Sequence, residues 1–243
     1  MIRLILLLIL FSIPTTQVRA DEPAPERVVF EPSEFVMGDT YCVDRQGNSD
    51  WCSDEIPHSV KLGRYAIDKY EVTNAQYNEC MAAMVCAPAG VHEFRPLEFN
   101  LPKQPVVFVK WDDAKKYCQW KGARLPTEAE WERAAQGKNP GGAHFAQPYG
   151  SGAPKEVGSL PANNAGLFDM MGNVSEWTSD WYAPYMTTEI QTNPKGPDSG
   201  KDKVVRGASW NSPRHFLRSA DRTARFPDLQ YSDVGFRCAV SIP

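Results

Sequence analysis

Gly122-Ala-Arg-Leu-Pro-Thr-Glu-Ala-Glu-Trp-Glu132 is the stretch whose reading decides the fold. Directly after Pro126, Thr127 and Glu130 stand at the spacing of a capping box, which predicts a short helix through Ala135. Upstream, Trp111 to Gly122 carries apolar residues at Ala114, Tyr117, Cys118 and Trp120, the pattern of a helix that ends at a glycine and turns Cys118 toward the core. A second capping box, Thr73-Asn-Ala-Gln76, opens a helix through about Met81. Short strands are expected around Val60 to Leu62 and Tyr65 to Asp68, and Pro105 to Val109 is a short β-branched run. Phe35-Val-Met-Gly38 is the first clear apolar run, with Asp21 to Glu34 read as a leader into it. From Gly137 onward the helical signal vanishes and Gly, Pro, Asn and aromatic residues dominate, so this half must pair its backbone polar groups through turns, side chains, water or ions. With no repeat and no linker, residues 21–243 read as one loop-rich α+β domain, in keeping with twenty prolines and seventeen glycines.

Residues 1–20 read as a signal peptide: Arg3 precedes an apolar run from Leu4 to Ile13, too short to span a bilayer, and Val18 and Ala20 occupy the small-residue positions of a cleavage site. A buried N-terminal strand or an anchor helix is the competing reading. No cysteine follows the run, so neither a lipid anchor nor another stable membrane anchor is expected after cleavage. Removing Arg3 and Arg19 takes the formal net charge from −4 to −6. An acidic surface repels phosphate backbones, which makes nucleic acid a poor partner. Six cysteines suit an oxidising compartment, secreted or periplasmic, and allow fifteen connectivities. Short loops suggest Cys42 with Cys52 and Cys80 with Cys86, leaving Cys118 and Cys238; free buried thiols are the alternative. No C-x-x-C pair occurs and His58, His92, His144 and His215 are far apart in sequence, so a zinc site has no support.

Several segments in order resemble the formylglycine-generating-enzyme, or sulfatase-modifying-factor, family. They are Phe35-Val-Met-Gly38, Tyr70-Glu-Val-Thr-Asn-Ala-Gln-Tyr77, Pro105-Val, Trp111-Asp-Asp-Ala114, Tyr117-Cys-Gln-Trp120 and Gly122 to Glu132. Gly172-Asn-Val-Ser-Glu-Trp-Thr178, Val205-Arg-Gly-Ala-Ser-Trp210 and Gly235-Phe-Arg-Cys-Ala239 complete the set. The resemblance implies a single domain with little regular secondary structure, related in shape to C-type lectins, and a Cys118–Cys238 disulfide, worth about 4 to 5 kcal/mol in the chain-entropy picture. It further implies a calcium loop in which Asp169, Gly172, Val174 and Glu176 supply hard oxygen ligands. A polar turn in which Glu176 bonds backbone amides is the alternative. Ser175 replaces an aromatic residue common there, and a second family calcium site is not expected because residues 145–156 are shortened. Asn173-Val-Ser175 is also a glycosylation sequon, taken as coincidence inside this loop.

Family members oxidise a client sulfatase's cysteine through two cysteines that bind copper(I), a metal that soft thiolates select. Those positions fall on Ser212 and Leu217, a protonated hydroxyl and a hydrocarbon, so neither copper nor oxidase activity is expected. Ser212 with His215 invites a hydrolase reading, but no nucleophile elbow and no orienting acid accompany them. Arg214, Arg218, Arg222 and Arg225 either line a cleft for carboxylates or an extended peptide, or form a structural network with Asp221, Asp228 and Asp233. Trp210, Ser212, Arg214, His215 and Arg225 are the candidate cleft residues. The expected function is binding of a peptide or protein partner or a non-oxidase modification. A formylglycine-generating oxidase and a structural cell-envelope component are the alternatives.

Overall fold

The computed structural model describes residues 25–40, 52–137, 142–185 and 188–243. The segment expected to be a signal peptide, residues 1–20, and Cys42 lie outside the described residues. Strands β1 (Arg27–Phe30), β2 (Ser33–Met37), β3 (His58–Leu62) and β4 (Tyr65–Asp68) come first. Helices α1 (Asn74–Ala82), α2 (Pro96–Phe99), α3 (Trp111–Trp120) and α4 (Glu128–Ala135) follow. The second half carries β5 (Ser175–Trp181), β6 (Gln191–Thr192), β7 (Lys203–Arg206), a 3-10 turn (Arg214–Phe216), β8 (Arg222–Arg225), β9 (Val234–Gly235) and β10 (Ala239–Ser241). The architecture is mixed α and β with small sheets ordered β1-β4-β10, β2-β3-β6 and β8-β7-β5-β9.

Both expected capping boxes form. Thr73 Oγ1 accepts from the Gln76 amide at 3.3 Å while Gln76 Oε1 accepts from the Thr73 amide at 3.0 Å. At α4 the Thr127 and Glu130 pair closes likewise, at 3.2 and 2.8 Å, which satisfies two of the orphan donors of each helix start. Gly122, past the end of α3, takes a φ of +67°, which favours glycine.

One expectation along the chain is corrected. Residues 27–30 are not leader but a strand, pairing antiparallel with β4 so that Val28 faces Ile67 and Phe30 faces Tyr65, their rings stacked at 5.0 Å. β10 covers the other edge of β4, Ala239 opposite Ile67, so the two ends of the domain meet on one buried strand. Pro105 to Val109 forms no strand, only an isolated bridge from Pro105 to Thr73. The Val106 amide donates to Val72 O and the Phe108 amide to Tyr231 O, partners on different segments, and Phe108 has φ +56°.

The core falls into neighbouring clusters. Tyr77, Tyr117, Trp177 and Phe236 pack around α1 and α3; Phe30, Tyr65, Ile67 and Trp131 pack beneath α4. The Cys118–Cys238 disulfide sits in the first cluster with Cα atoms 5.6 Å apart, and Cys80–Cys86 closes the end of α1. Cys52 is disulfide-bonded too. No helix among the described residues is long and apolar enough to cross a membrane.

Candidate functional site: a groove over the β7–β8 loop and a polar loop behind it

Residues 207–221 leave β7 and return in β8, and a buried guanidinium fixes both ends of this loop. Arg206 bonds Glu128 at 3.2 Å and Glu132, both on α4, and donates to the Ala220 and Ser219 carbonyls at 2.8 and 2.7 Å. Arg222 holds Glu128 with two bonds of 2.8 and 2.7 Å. Burial alone would raise the Glu128 carboxyl, but Arg222 and Arg206 outweigh it and hold it below the usual range. Arg218 reaches Asp39 and Glu55 at 2.6 Å and Asp221 at 3.1 Å. Arg218 and Arg222 thus belong to the structural network, with Asp39, Glu55 and Glu128 as partners the sequence did not suggest.

Trp210 is buried at 1% exposure. Its indole N–H donates to Ser232 O at 3.2 Å and its ring meets Phe99 edge-on at 5.7 Å. Two residues on, Ser212 Oγ accepts from the Ser209 amide at 2.9 Å. Ser212 lines a cavity of about 270 Å³ with Asn211, Phe216, Asp221, Thr223, Arg225 and Asp233. Burial pushes the Asp221 carboxyl up to about 7 against the pull of Arg218, with Glu55 adding to the rise. Burial likewise raises Asp233, which Arg225 opposes. Asn211, Arg225 and Asp233 also line a more open groove of about 690 Å³ walled by Phe94, Phe108, Tyr149 and Tyr231.

Of the candidate residues, Ser212 and Arg225 meet at the cavity, and Trp210 supports them from the core. Arg214 and His215 do not join them. Both are exposed on the 3-10 turn, Arg214 over the Phe145 ring at 5.0 Å and His215 against Phe216 at 4.2 Å. Leu217 is half-buried just after that turn. Cys52, Cys80, Cys86, Cys118 and Cys238 are all disulfide-bonded and line neither cavity. Phe94, Tyr149 and Tyr231 were not singled out from sequence. Their apolar rings read as ordinary core candidates until the fold leaves Phe94 82% and Tyr149 74% exposed.

Behind the loop, Asp169, Gly172 and Asn173 adopt φ values of +60°, +109° and +63°. Gly172 is obligatory on a second count, since a Cβ there would lie 2.5 Å from His144 O. Asp169 Oδ2 accepts from the Gly158 amide at 2.6 Å. Glu176 does not cap backbone amides; Arg237 grips both its oxygens at 2.7 Å and the Trp131 indole adds a bond of 2.8 Å. Glu71 joins them from β4's far end, accepting from Asn173 Nδ2 at 2.7 Å and the Val174 amide at 3.3 Å. Burial, then the charges of Asp169 and Glu176, push its carboxyl well above the ordinary range. Asn173 is 1% exposed, so its side chain is closed to glycosylation in the folded chain. Among the described residues no three His, Cys, Asp or Glu side chains converge closely enough to hold a metal ion alone.

Known proteins are similar to this chain in sequence and in fold. "Formylglycine-generating enzyme" of Bos taurus is 38% identical over 165 residues, covering 57% of this chain and 44% of that protein. The protein of the same name from Streptomyces coelicolor is 32% identical over 275 residues, covering 85% and 86%. "Inactive C-alpha-formylglycine-generating enzyme 2" of Mus musculus is 39% identical over 165 residues, covering 56% and 49%. The chain spans less than half the length of the first curated relatives it matches. Among solved structures, PvdO from Pseudomonas aeruginosa superposes with a TM-score of 0.72 at 25% identity, over 92% of this chain and 100% of that one. Treponema denticola variable protein 1 does so at 0.71 and 25%, over 89% and 95%. Residues 13–242 match the model of the sulfatase-modifying factor enzyme 1-like domain, and the chain belongs to that family.

Proposed function

We propose that this chain is an exported member of its family that seats an extended polypeptide in the groove beside Ser212 and carries out no copper-dependent oxidation. The observation that supports this reading is that two neighbouring cavities share Asn211, Arg225 and Asp233 in their walls. An open trough of about 690 Å³ with aromatic walls lies beside a polar end chamber of about 270 Å³, with these three residues between them. Exposed aromatic rings beside a chamber of hydroxyl, amide and charged groups suit a peptide, whose side chains occupy the trough while its backbone hydrogen-bonds at the end.

The chamber offers a Ser212 hydroxyl where a copper(I) site needs a thiolate, and the paired cysteines leave no described thiol nearby. Export is supported by the Arg3 to Ala20 pattern and by disulfides such as Cys80–Cys86 and Cys118–Cys238, which persist in oxidising compartments. Calcium at Asp169, Glu176 and the Gly172 and Val174 carbonyls is supported by charge. Glu71 and Asp169 lie within the field of Glu176 and of Arg237, which pairs only with Glu176, so acids outnumber the guanidinium in a buried place. Backbone carbonyls must complete the ligand set, and the ion would pin the 169–176 loop under the groove.

Probing a peptide array with the purified protein tests the reading. Selective retention is expected, weakened about tenfold, or ~1.4 kcal/mol, by Phe94→Ala with Tyr149→Ala. An array that retains nothing, or retention indifferent to these changes, overturns it.

A further inference from the structure

Arg206, Arg218, Arg222 and Arg237 each close on at least one carboxylate by hydrogen bonds. Arg225 does not. Its Nε is buried and without a hydrogen-bond partner, and its ion pair with Asp233 is 3.5 Å long. Among its neighbours Asp233 feels Arg225 most and also draws on its own backbone N–H and Ser209, so its 3.5 Å contact is a charge pairing and not a closed hydrogen-bonded fork. Tyr231 lies under Arg225, ring centroid 5.1 Å away, and fixes the plane of the fork. The residue stands at the junction of the open trough and the end chamber, lining both. A guanidinium that lines a cavity and has no carboxylate hydrogen-bonded to its fork can receive a planar oxyanion, because two parallel N–H bonds match two oxygens of one acceptor.

The neighbouring charges decide which oxyanion. Asp221 and Asp233 stand in the same chamber, so a dianion such as phosphate meets more repulsion than a carboxylate with a single charge. We infer that Arg225 makes the groove selective for a carboxylate-bearing peptide, clasping a terminal or side-chain carboxylate between trough and chamber while an adjacent apolar side chain packs against Tyr149 and Phe108. The inference rests on the peptide-groove reading and sharpens it.

Fluorescence polarisation with the dye-labelled peptide Gly-Phe-Gly-Gly-Phe separates the two. The peptide is offered as free acid and as C-terminal amide, and a second pair carries an internal Asp or Asn with the terminus amidated. The natural protein is expected to bind at least one carboxylate form about tenfold more tightly than its neutral twin, and the arm that shows it identifies terminal or side-chain recognition. Arg225→Gln, checked for an unchanged thermal midpoint, is expected to abolish the preference of acid over neutral form. Arg225→Lys keeps the charge but not the fork and retains only part of the preference. Equal binding of acid and neutral forms, or a preference that survives in Arg225→Gln, overturns the inference and leaves the groove standing. Failure of every peptide to bind overturns the groove reading, and this inference with it.

Discussion

Lys203 shows how one side chain can be carried by the elements around it. Its ammonium lies between the Trp111 and Trp181 rings, 3.9 and 3.8 Å from their centroids, and donates to Ser179 O at 2.8 Å. Burial, which Asp180 only partly offsets, lowers its pKa to about 8. Lys203→Met keeps the stem, removes the charge from between two desolvated indoles and leaves a carbonyl without its donor, so a loss of about 2 kcal/mol is expected in urea melts. The residues legible from sequence were those whose role is local. Thr73 and Thr127 needed only a partner three positions on. Phe94, Tyr149 and Arg225 acquire their roles from exposure and from unmade bonds, and only the assembled fold defines those.

At the scale of elements, α4 fixes the groove from behind. Its capping threonine is a small, separable contribution: Thr127→Ala is expected to cost about 1 kcal/mol. Its buried carboxylates are not separable, because Arg206 ties Glu132 and Glu128 to the carbonyls of the 207–221 loop. Arg206→Met leaves Glu132 buried with no guanidinium beside it, and a loss of about 3 to 5 kcal/mol is expected, with weakened peptide binding as the loop loses its anchor. Denaturant melts and peptide binding measured on the same sample check both. Helices α1, α3 and α4 were legible because caps and apolar spacing are local signals. β1 was not, since four residues between prolines and glutamates become a strand only by lying against β4. The turn at 214–216 was missed for the same reason.

For the whole molecule, the balance of buried acids sets the pH dependence. Asp180 and Asp221 are pushed from an ordinary 3.8 up to about 7, chiefly by burial. A carboxyl raised in the folded state contributes stability that is complete below about pH 4 and is lost as pH rises through 7. The thermal midpoint is therefore expected to be higher at pH 5.5 than at pH 8, by roughly 4 to 8 °C for a net gain of about 2 kcal/mol. Asp180→Asn with Asp221→Asn is expected to flatten the difference. Calcium added to chelator-treated protein at pH 7.5 is expected to raise the midpoint, and Glu176→Gln to remove the response; an unchanged midpoint in the natural protein would count against the ion.

The most direct test of a chain that carries Ser212 and Leu217 where copper(I) needs thiolates is anaerobic copper(I) titration, followed by exposure to oxygen with a cysteine-containing sulfatase peptide and mass spectrometry of that peptide. The expected result is no stoichiometric copper uptake and an unmodified peptide, with uptake gained in Ser212→Cys with Leu217→Cys. Conversion of the peptide's cysteine to an aldehyde by the natural chain would contradict it.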